Sequence, residues 1–544
     1  MRASDLLVRC LEEEGVEYLF GIPGEETLSL MDSLSRSSIR FVLTRHEQGA
    51  AFMANVYGRL TGRPGVCLAT LGPGATNLLT GVADAFLDRS PLVAITGQAP
   101  LSRVHKEAHQ YINVIEVFRP VTKWNTRLER PEVIPEVVRK AFKLAQTERP
   151  GPTHLELPED LASQDTQGQP LPPTPIFYPE PRRESILKAA ELISGASYPM
   201  VLAGNGVIRR GAAGQLSALA HRLGLPVAHT FMGMGSLDYR DELSLFTVGL
   251  HERDWVMCGL DRADVVLAVG YDQVEYEPRL WNGGRDKKII QIDTTPAEVD
   301  EFYTPQVEIV SEIGDALQAL GEACSPRPEP AGQATLRRFI LGELAEYWTD
   351  PAFPLKPQRV VSDLRRALGE GDILVSDVGA HKLWIARLYP AYQANTVIIS
   401  NGFASMGIGI PGAIAAKLAF PQRKVVAAVG DGGFLMTAGE LETAKRLGLA
   451  LVVVVWSDGA LGMIEWKQLK RYGQTFGTTF TNPDFVLYAR SLGLAGFRVS
   501  SAGEFLPTLH QALELDQLAI IEVPVDYQEN LRLTQKLGHL VCPI

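Results

Sequence analysis

Two aspartates each stand where an apolar run gives way to glycine. Asp431 lies in Val429-Gly430-Asp431-Gly432-Gly433 and Asp458 in Trp456-Ser457-Asp458-Gly459. Short β-branched runs bounded by turn residues read as buried strands. In an open parallel sheet, ligands bind beyond the carboxyl ends of the strands. Two carboxylates there, on neighbouring strands, suit a hard divalent cation such as Mg²⁺, which shares its oxygen octahedron with phosphates. Gly430, Gly432 and Gly433 let backbone N–H groups approach phosphate oxygens at a helix start. Either aspartate alone reads as a helix N-cap; the pair at this spacing points to metal. A third acid, Glu47, opens an alanine-rich helix after Arg45-His46. There it can move a proton or merely complement the helix dipole. Met406, in NGFASMGIGIPGAIAA, and His381, in Asp377-Val378-Gly379-Ala380-His381, have the plainer readings of core filler and helix-start residue.

The elements that must position these residues follow from periodicity. Strands are expected at Val16 to Phe20, Phe41 to Thr44, Met200 to Ala203, Val265 to Val269, Ile289 to Ile292, Ile373 to Ser376, Val425 to Val429 and Leu451 to Trp456. Helical stretches separate them, which implies parallel sheets covered on both faces, an α/β protein. Ser4 or Asp5 is placed to cap a first helix that Gly15 ends. Two proline-rich stretches, Gln164 to Pro181 and Ser325 to Gln333, read as linkers. They divide the chain near 1–165, 183–324 and 350–544. Leu68 to Gly97 and Ala427 to Trp456 echo each other: strand, G-x-G turn, helix, break, strand. The first and third parts therefore share a topology, by duplication or by the sameness of βαβ units.

Composition bounds the partners. The chain has 544 residues, with 46% apolar, 21% charged and a net charge of −11, so several domains are expected. Basic residues do not cluster, which argues against nucleic acid or an anionic membrane. Five cysteines are scattered without a CxxC pair, so neither a disulfide framework nor a zinc site is expected. The N-terminal segment does not read as a signal peptide, and no apolar run reaches the ~20 residues of a membrane span. A reduced, cytoplasmic location is the default expectation.

The Gly-Asp-Gly turn, followed after one helix and one strand by a polar pair, resembles the fingerprint of the thiamine-diphosphate enzymes. That family ends the motif in Asn-Asn; this chain has Ser457-Asp458. The resemblance covers the whole chain and implies three doubly wound domains: pyrimidine-binding, central and diphosphate-binding. It implies thiamine diphosphate and Mg²⁺, the metal held by Asp431, Asp458 and the carbonyl of Ala460. Asp458 keeps an oxygen ligand but adds a charge. Glu47, in RHEQGAAFMA, matches the glutamate that faces the aminopyrimidine ring and promotes proton transfer through it. Met406 matches the residue that props the cofactor, and Gly379, Ala380 and His381 the loop that receives the diphosphate. The implied cofactor contacts extend to Pro23, Gly24, Gly72, Asn77, Ala404, Gly430, Gly432, Gly433, Leu461, Gly462, Met463 and Ile464. The family places its cofactor between the first domain of one subunit and the third of another, so a homo-oligomer is implied.

Within that superfamily the chain most resembles acetolactate synthase. The supporting stretches are FGIPG, LTRHEQGAAFMANVYGRLTG, ATLGPGATNLLTG, RPVTKWN and IEVPVDYQEN. The implied reaction decarboxylates pyruvate and joins the two-carbon remainder to a second pyruvate, giving 2-acetolactate. Gln110 lies where the family has an active-site glutamine; Met463, Ile464, Trp466 and Lys467 are candidates for the pocket wall. Anabolic, FAD-carrying members have a lysine where this chain has Glu159, and differ over Gly270 to Asn282. The resemblance is therefore to the catabolic type, and FAD is not expected. Gly204-Asn205-Gly206 is only a weak flavin signal.

Three other readings stay open. One is another thiamine enzyme, such as a 2-oxo-acid decarboxylase or sulfoacetaldehyde acetyltransferase. The second is a nucleotide-binding oxidoreductase: Gly407 to Gly412 fits G-x-G-x-x-G, though no expected strand leads into it and no acid follows about 20 residues on. The third is a non-catalytic homologue, against which Glu47 and both aspartates argue.

Overall fold

A computed structural model describes residues 1–249, 254–532 and 542. It contains three six-stranded parallel sheets. The first comprises β1 (Tyr18–Gly21), β2 (Arg40–Leu43), β3 (Gly65–Ala69), β4 (Leu92–Gln98), β5 (Trp124–Arg127) and β6 (Pro152–Pro158), in the order β2-β1-β3-β4-β6-β5. The second comprises β7 (Pro199–Ala203), β8 (Val227–His229), β9 (Ser244–Thr247), β10 (Val265–Val269), β11 (Lys288–Asp293) and β12 (Val307–Val310), ordered β12-β11-β10-β7-β8-β9. The third comprises β13 (Ile373–Ser376), β14 (Val397–Ile399), β15 (Val425–Gly430), β16 (Val452–Ser457), β17 (Ala495–Arg498) and β18 (Ala519–Pro524), ordered β14-β13-β15-β16-β18-β17. The central strands β3, β4, β15 and β16 are almost wholly buried apolar residues, as strands covered on both faces must be.

Counted from its own first strand, the first sheet runs 2-1-3-4-6-5, and so does the third. The two halves of the sequence echo, β3–β4 and β15–β16, occupy the same places in that order. The echo differs in its helix. Pro73–Leu87 is continuous, whereas its counterpart is split into Asp431–Thr437 and Glu440–Arg446. The second sheet runs 3-2-1-4-5-6, the other doubly wound order.

The chain forms two compact units. One comprises residues 1–177, 402–422 and 434–449; the other comprises 178–401, 423–433 and the chain from 450 on. In the first unit the helix Glu47–Thr61 packs on Pro73–Leu87 and on Gly409–Ala419. Small residues make the close approach possible: a Cβ on Gly81 would lie 2.5 Å from that of Ala51. Phe52, fully buried in this helix, contributes about 1.5–3 kcal/mol by burial alone.

Several local expectations move. The first strand begins at Tyr18 rather than Val16 and the second at Arg40 rather than Phe41, each set by pairing with its neighbour. The first helix, Ala3–Glu13, starts after Arg2, and Asp5 reaches back to the Arg2 amide at 3.1 Å. No disulfide framework is expected from the cysteine spacing; one disulfide does form, between Cys258 and Cys542, 284 residues apart, with Cα atoms 5.6 Å apart. Sequence spacing carries no information on such a long-range approach. Cys10, Cys67 and Cys324 are buried thiols.

Candidate active site

The third sheet reverses its strand order between β13 and β15, and a ligand crevice forms beyond such a switch point. Asp377 leaves β13 there and Asp431 leaves β15. Asp431 is 1% exposed and heavily engaged. Its Oδ2 accepts from the Asp458 amide (3.0 Å), the Gly459 amide (2.8 Å) and Asn482 Nδ2 (2.7 Å). Its Oδ1 accepts from the Gly432 amide at 2.8 Å. A carboxylate has about four lone-pair sites, two on each oxygen, so the remaining acceptor capacity is on Oδ1. The hydrogen bonds from Asp458 and Gly459 bring the end of β16 against Asp431. Burial, and then the Asp431 carboxylate, push the Asp458 carboxyl up to about 7. A cation between two such acids removes that penalty.

Three observations bear on whether thiamine diphosphate and Mg²⁺ fit here. The expected donors, the Asp431 and Asp458 carboxylates and the Ala460 carbonyl, are hard oxygens, the type Mg²⁺ prefers. Among the described residues no three His, Cys, Asp or Glu side chains gather into a metal cluster, so a cation here would complete its shell from backbone and phosphate oxygens. The third is His381, buried in the first turn of Ala380–Leu388, whose Nε2 has no partner among the described residues. Its ring fills the space a Cβ would take on Gly379 (2.8 Å) or Gly430 (3.2 Å), and burial lowers it to about 3, so it is neutral. Gly433 leaves room for Asp377: a Cβ there would sit 2.6 Å from its Oδ2 and force the carboxylate to shift. The residues present fit the group.

After β16 the chain turns through Gly459, Ala460 and Leu461 into the helix Gly462–Tyr472, none of whose residues is buried. Asp458, Gly462, Glu465, Trp466 and Leu469 line a cleft with Tyr527 opposite. The Tyr527 hydroxyl is raised well above its ordinary range by burial and then by Asp458 and Asp431. Of the expected wall residues Trp466 lines this cleft; Met463, Ile464 and Lys467 do not.

The first unit carries the other expected residues. Glu47 begins its helix and is 8% exposed. Its Oε2 accepts from Asn77 Nδ2 at 2.9 Å, and its Oε1 lies 3.3 Å from where Gly74 would carry a Cβ. Pro23 and Gly24 follow β1, and Gly24 is pressed so tightly on Thr70 that a Cβ would lie 2.3 Å from its Oγ1. Gly72 (φ 51°) and Gln110 (φ 56°) meet through backbone: a Cβ on Gly72 would lie 2.5 Å from the Gln110 carbonyl. The segment bearing Ala404 (φ 59°) and the half-buried Met406 is tied down at the Gly402 amide by Asp88 (2.8 Å) and at the Ser405 amide by Asp84 (3.2 Å). Each unit thus gathers its own set: Glu47, Asn77, Gly72 and Gln110 in one, Asp431, Asp458 and His381 in the other.

Sequence reasoning missed Asn482, Tyr527, Asp84 and Glu440. Asn482 stands 24 residues beyond Asp458 in an irregular Asn-Pro stretch with no motif around it. In the central sheet, Gly204 and Gly206 at the β7 end pack against Gly270 at the β10 end. A Cβ on Gly204 would lie 2.3 Å from Gly270 O, and one on Gly206 2.5 Å from Gly270 Cα. The glycine turn is thus explained by one loop lying on another.

Comparison with known proteins agrees with this geometry. Three family models match: the N-terminal TPP-binding domain of thiamine pyrophosphate enzymes at residues 1–117, the central domain at 186–320 and the C-terminal TPP-binding domain at 377–523. The acetolactate synthase of Bacillus subtilis (strain 168) is 36% identical over 545 residues, 98% of this chain and 94% of that protein. A catabolic acetolactate synthase of Raoultella terrigena is 35% identical, covering 97% of this chain and 95% of the relative. A probable acetolactate synthase large subunit of Methanocaldococcus jannaschii is 35% identical, covering 100% and 96%. The chain belongs to the thiamine pyrophosphate enzymes, and among them to the acetolactate synthase family.

Proposed function

We propose that this chain is an acetolactate synthase that decarboxylates one pyruvate and joins the two-carbon remainder to a second, releasing 2-acetolactate and CO₂. The observation that carries the reading is a near full-length match to acetolactate synthases in a chain that keeps a buried, hydrogen-bonded Glu47. Thiamine diphosphate, when bound, would supply a nucleophilic carbon and an electron sink for the decarboxylation. The chain's own residues bind, orient and move protons. Glu47, steadied by Asn77, holds the aminopyrimidine nitrogen and passes its proton. Asp431, Asp458 and Ala460 hold Mg²⁺; the amides at Gly430, Gly432 and Gly433 and the helix start at Gly379, Ala380 and His381 take the diphosphate. Pro23, Gly24, Gly72, Ala404 and Met406 shape the pyrimidine side. Leu461, Gly462, Met463 and Ile464 lie on the diphosphate side, and Gln110 orients the substrate. Water must be kept from the reacting carbon, or the two-carbon unit leaves as acetaldehyde.

The finer assignments are a catabolic type without FAD and a homo-oligomer with shared sites. Support for the first comes from the central domain. The Glu275 carboxylate accepts from Thr230 Oγ1 (3.0 Å) and the Met232 amide (2.8 Å), and Arg209 pairs with buried Asp272 at 2.7 Å. Asp272 and Glu275 both belong to the stretch Gly270 to Asn282, whose sequence sets the chain apart from the FAD-carrying members. A flavin-free visible spectrum of the purified protein is expected. Shared sites are tested by mixing Glu47→Gln with Asp431→Ala protein: regained activity supports them and its absence opposes them. No helix among the described residues is long and apolar enough to cross a membrane, and a cytoplasmic location is part of the proposal. The decisive assay is product analysis with pyruvate, thiamine diphosphate and Mg²⁺. 2-Acetolactate supports the reading, and acetaldehyde alone would assign the chain to a decarboxylase.

A further inference from the structure

The helix that presents Glu47 has an unusual start. The Arg45 and His46 amides lead into it, and both donate to one buried oxygen, Glu440 Oε1, at 3.0 and 3.1 Å. Glu440 is 395 residues away from Arg45 in the chain and 1% exposed. Its other oxygen accepts from Thr443 Oγ1 at 2.7 Å. With its backbone fixed, the His46 ring turns onto the helix, and its Nδ1 accepts from the Gln48 amide at 3.1 Å. The helix begins at Glu47, with His46 as its N-cap. The Glu440 carboxylate enters because residue 49 is glycine: a Cβ there would sit 2.5 Å from Glu440 Oε1.

Burying a carboxylate is expensive, and burial pushes the Glu440 carboxyl above its ordinary range, against the pull of Thr443, the two amides and the nearby His46. A serine or asparagine cap would start a helix without that cost. A charged group kept inside the first unit, beside the helix start that carries the candidate proton-transfer residue, needs a further reason.

We propose that Glu440 is a positioning residue: through the Arg45 and His46 amides and the gap at Gly49, it fixes the first turn that aims Glu47. The proposal rests on the reading of Glu47 given above. A misplacement of the order of 1 Å at a proton-transfer group can lower turnover about a hundredfold.

Two variants separate positioning from simple support. Glu440→Ala removes both acceptors. Gly49→Ala leaves Glu440 in place but drives a methyl into its oxygen, while raising the intrinsic helix propensity of the position. Positioning predicts that both lower kcat about tenfold or more, with KM for pyruvate changed less than about threefold. It also predicts faster amide hydrogen exchange at residues 45–48 of the cofactor-free protein, and that Glu440→Gln, which keeps an acceptor for both amides, restores most of kcat. The proposal is overturned if Gly49→Ala is fully active, if exchange at 45–48 is unchanged in Glu440→Ala, or if Glu440→Gln is as impaired as Glu440→Ala. Glu47→Gln is measured alongside. An inactive Glu47→Gln beside fully active Glu440→Ala and Gly49→Ala overturns this inference alone; an active Glu47→Gln overturns the reading beneath it as well.

Discussion

Replacing Asn482 by alanine tests the candidate metal centre without touching a ligand. Asn482 Nδ2 makes the shortest of the three hydrogen bonds to Asp431 Oδ2, at 2.7 Å. A hydrogen bond to a charged group is worth about 1.5–3 kcal/mol, and groups that orient metal ligands typically change affinity about 10–100-fold. Two effects oppose each other. Losing a donor leaves Asp431 more basic, which favours a cation; losing an orienting contact lets the carboxylate turn, which disfavours it. The Asp458 and Gly459 amides still hold Oδ2, so neither effect reaches its full size. The orienting loss is expected to win at the low end, about tenfold weaker Mg²⁺ binding or ~1.4 kcal/mol. Asn482→Asp puts a third carboxylate beside Asp431. At an effective dielectric of about 20, charges some 3 Å apart repel by up to roughly 6 kcal/mol, so this variant should be unstable without metal and regain stability with it. Calorimetric titration of Mg²⁺ at fixed thiamine diphosphate reads the first effect, and melting with and without Mg²⁺ reads the second. A titration of Asn482→Ala that superimposes on wild type, together with an Asn482→Asp protein indifferent to Mg²⁺, would refute the reasoning.

Other consequences can be measured separately. Burial holds His154 down to about 3 and His229 to about 4, below the ordinary 6.5 of an unfolded chain. Both are neutral in the fold, so their contribution is full above pH ~6.5 and drains as pH falls towards those values, by at most about 1.4 kcal/mol per pH unit each. Melting temperature should drop between about pH 7 and pH 5, and His154→Gln should flatten part of that slope; an unchanged slope speaks against the assignment. Gln98 Nε2 donates to Glu156 (2.7 Å) and to the Ile112 carbonyl (3.3 Å), pinning the segment that carries Gln110. Gln98→Ala should raise KM for pyruvate several-fold with kcat nearly retained, and steady-state kinetics decide it. Gly270→Ala forces a Cβ to 2.6 Å from Gly206 Cα at a φ of +55° and should destabilise the central domain by a few kcal/mol, read as a lower Tm.

Much of this was legible in the sequence. The apolar runs ending at Asp431 and Asp458 did become adjacent strands, because β-branched residues at that density have no other way to be buried on both faces. Glu47 did open a helix, because alanines follow it and a left-handed Gly62 ends it. What was not legible came from pairing across long sequence distances. Asn482 reaches Asp431 from an irregular stretch, Glu440 reaches Arg45 across 395 residues, and Cys542 reaches Cys258 across 284. None leaves a periodic or local mark. The glycine turn at Gly204 was ambiguous in sequence for a different reason: close backbone packing and phosphate binding require the same residue.

Glu47 carries the proposed proton transfer. Turnover of Glu47→Gln at saturating thiamine diphosphate, Mg²⁺ and pyruvate should fall at least about a hundredfold, the scale of a lost acid–base group, with cofactor affinity largely retained. A variant that keeps most of its turnover would show that Glu47 does not move the proton.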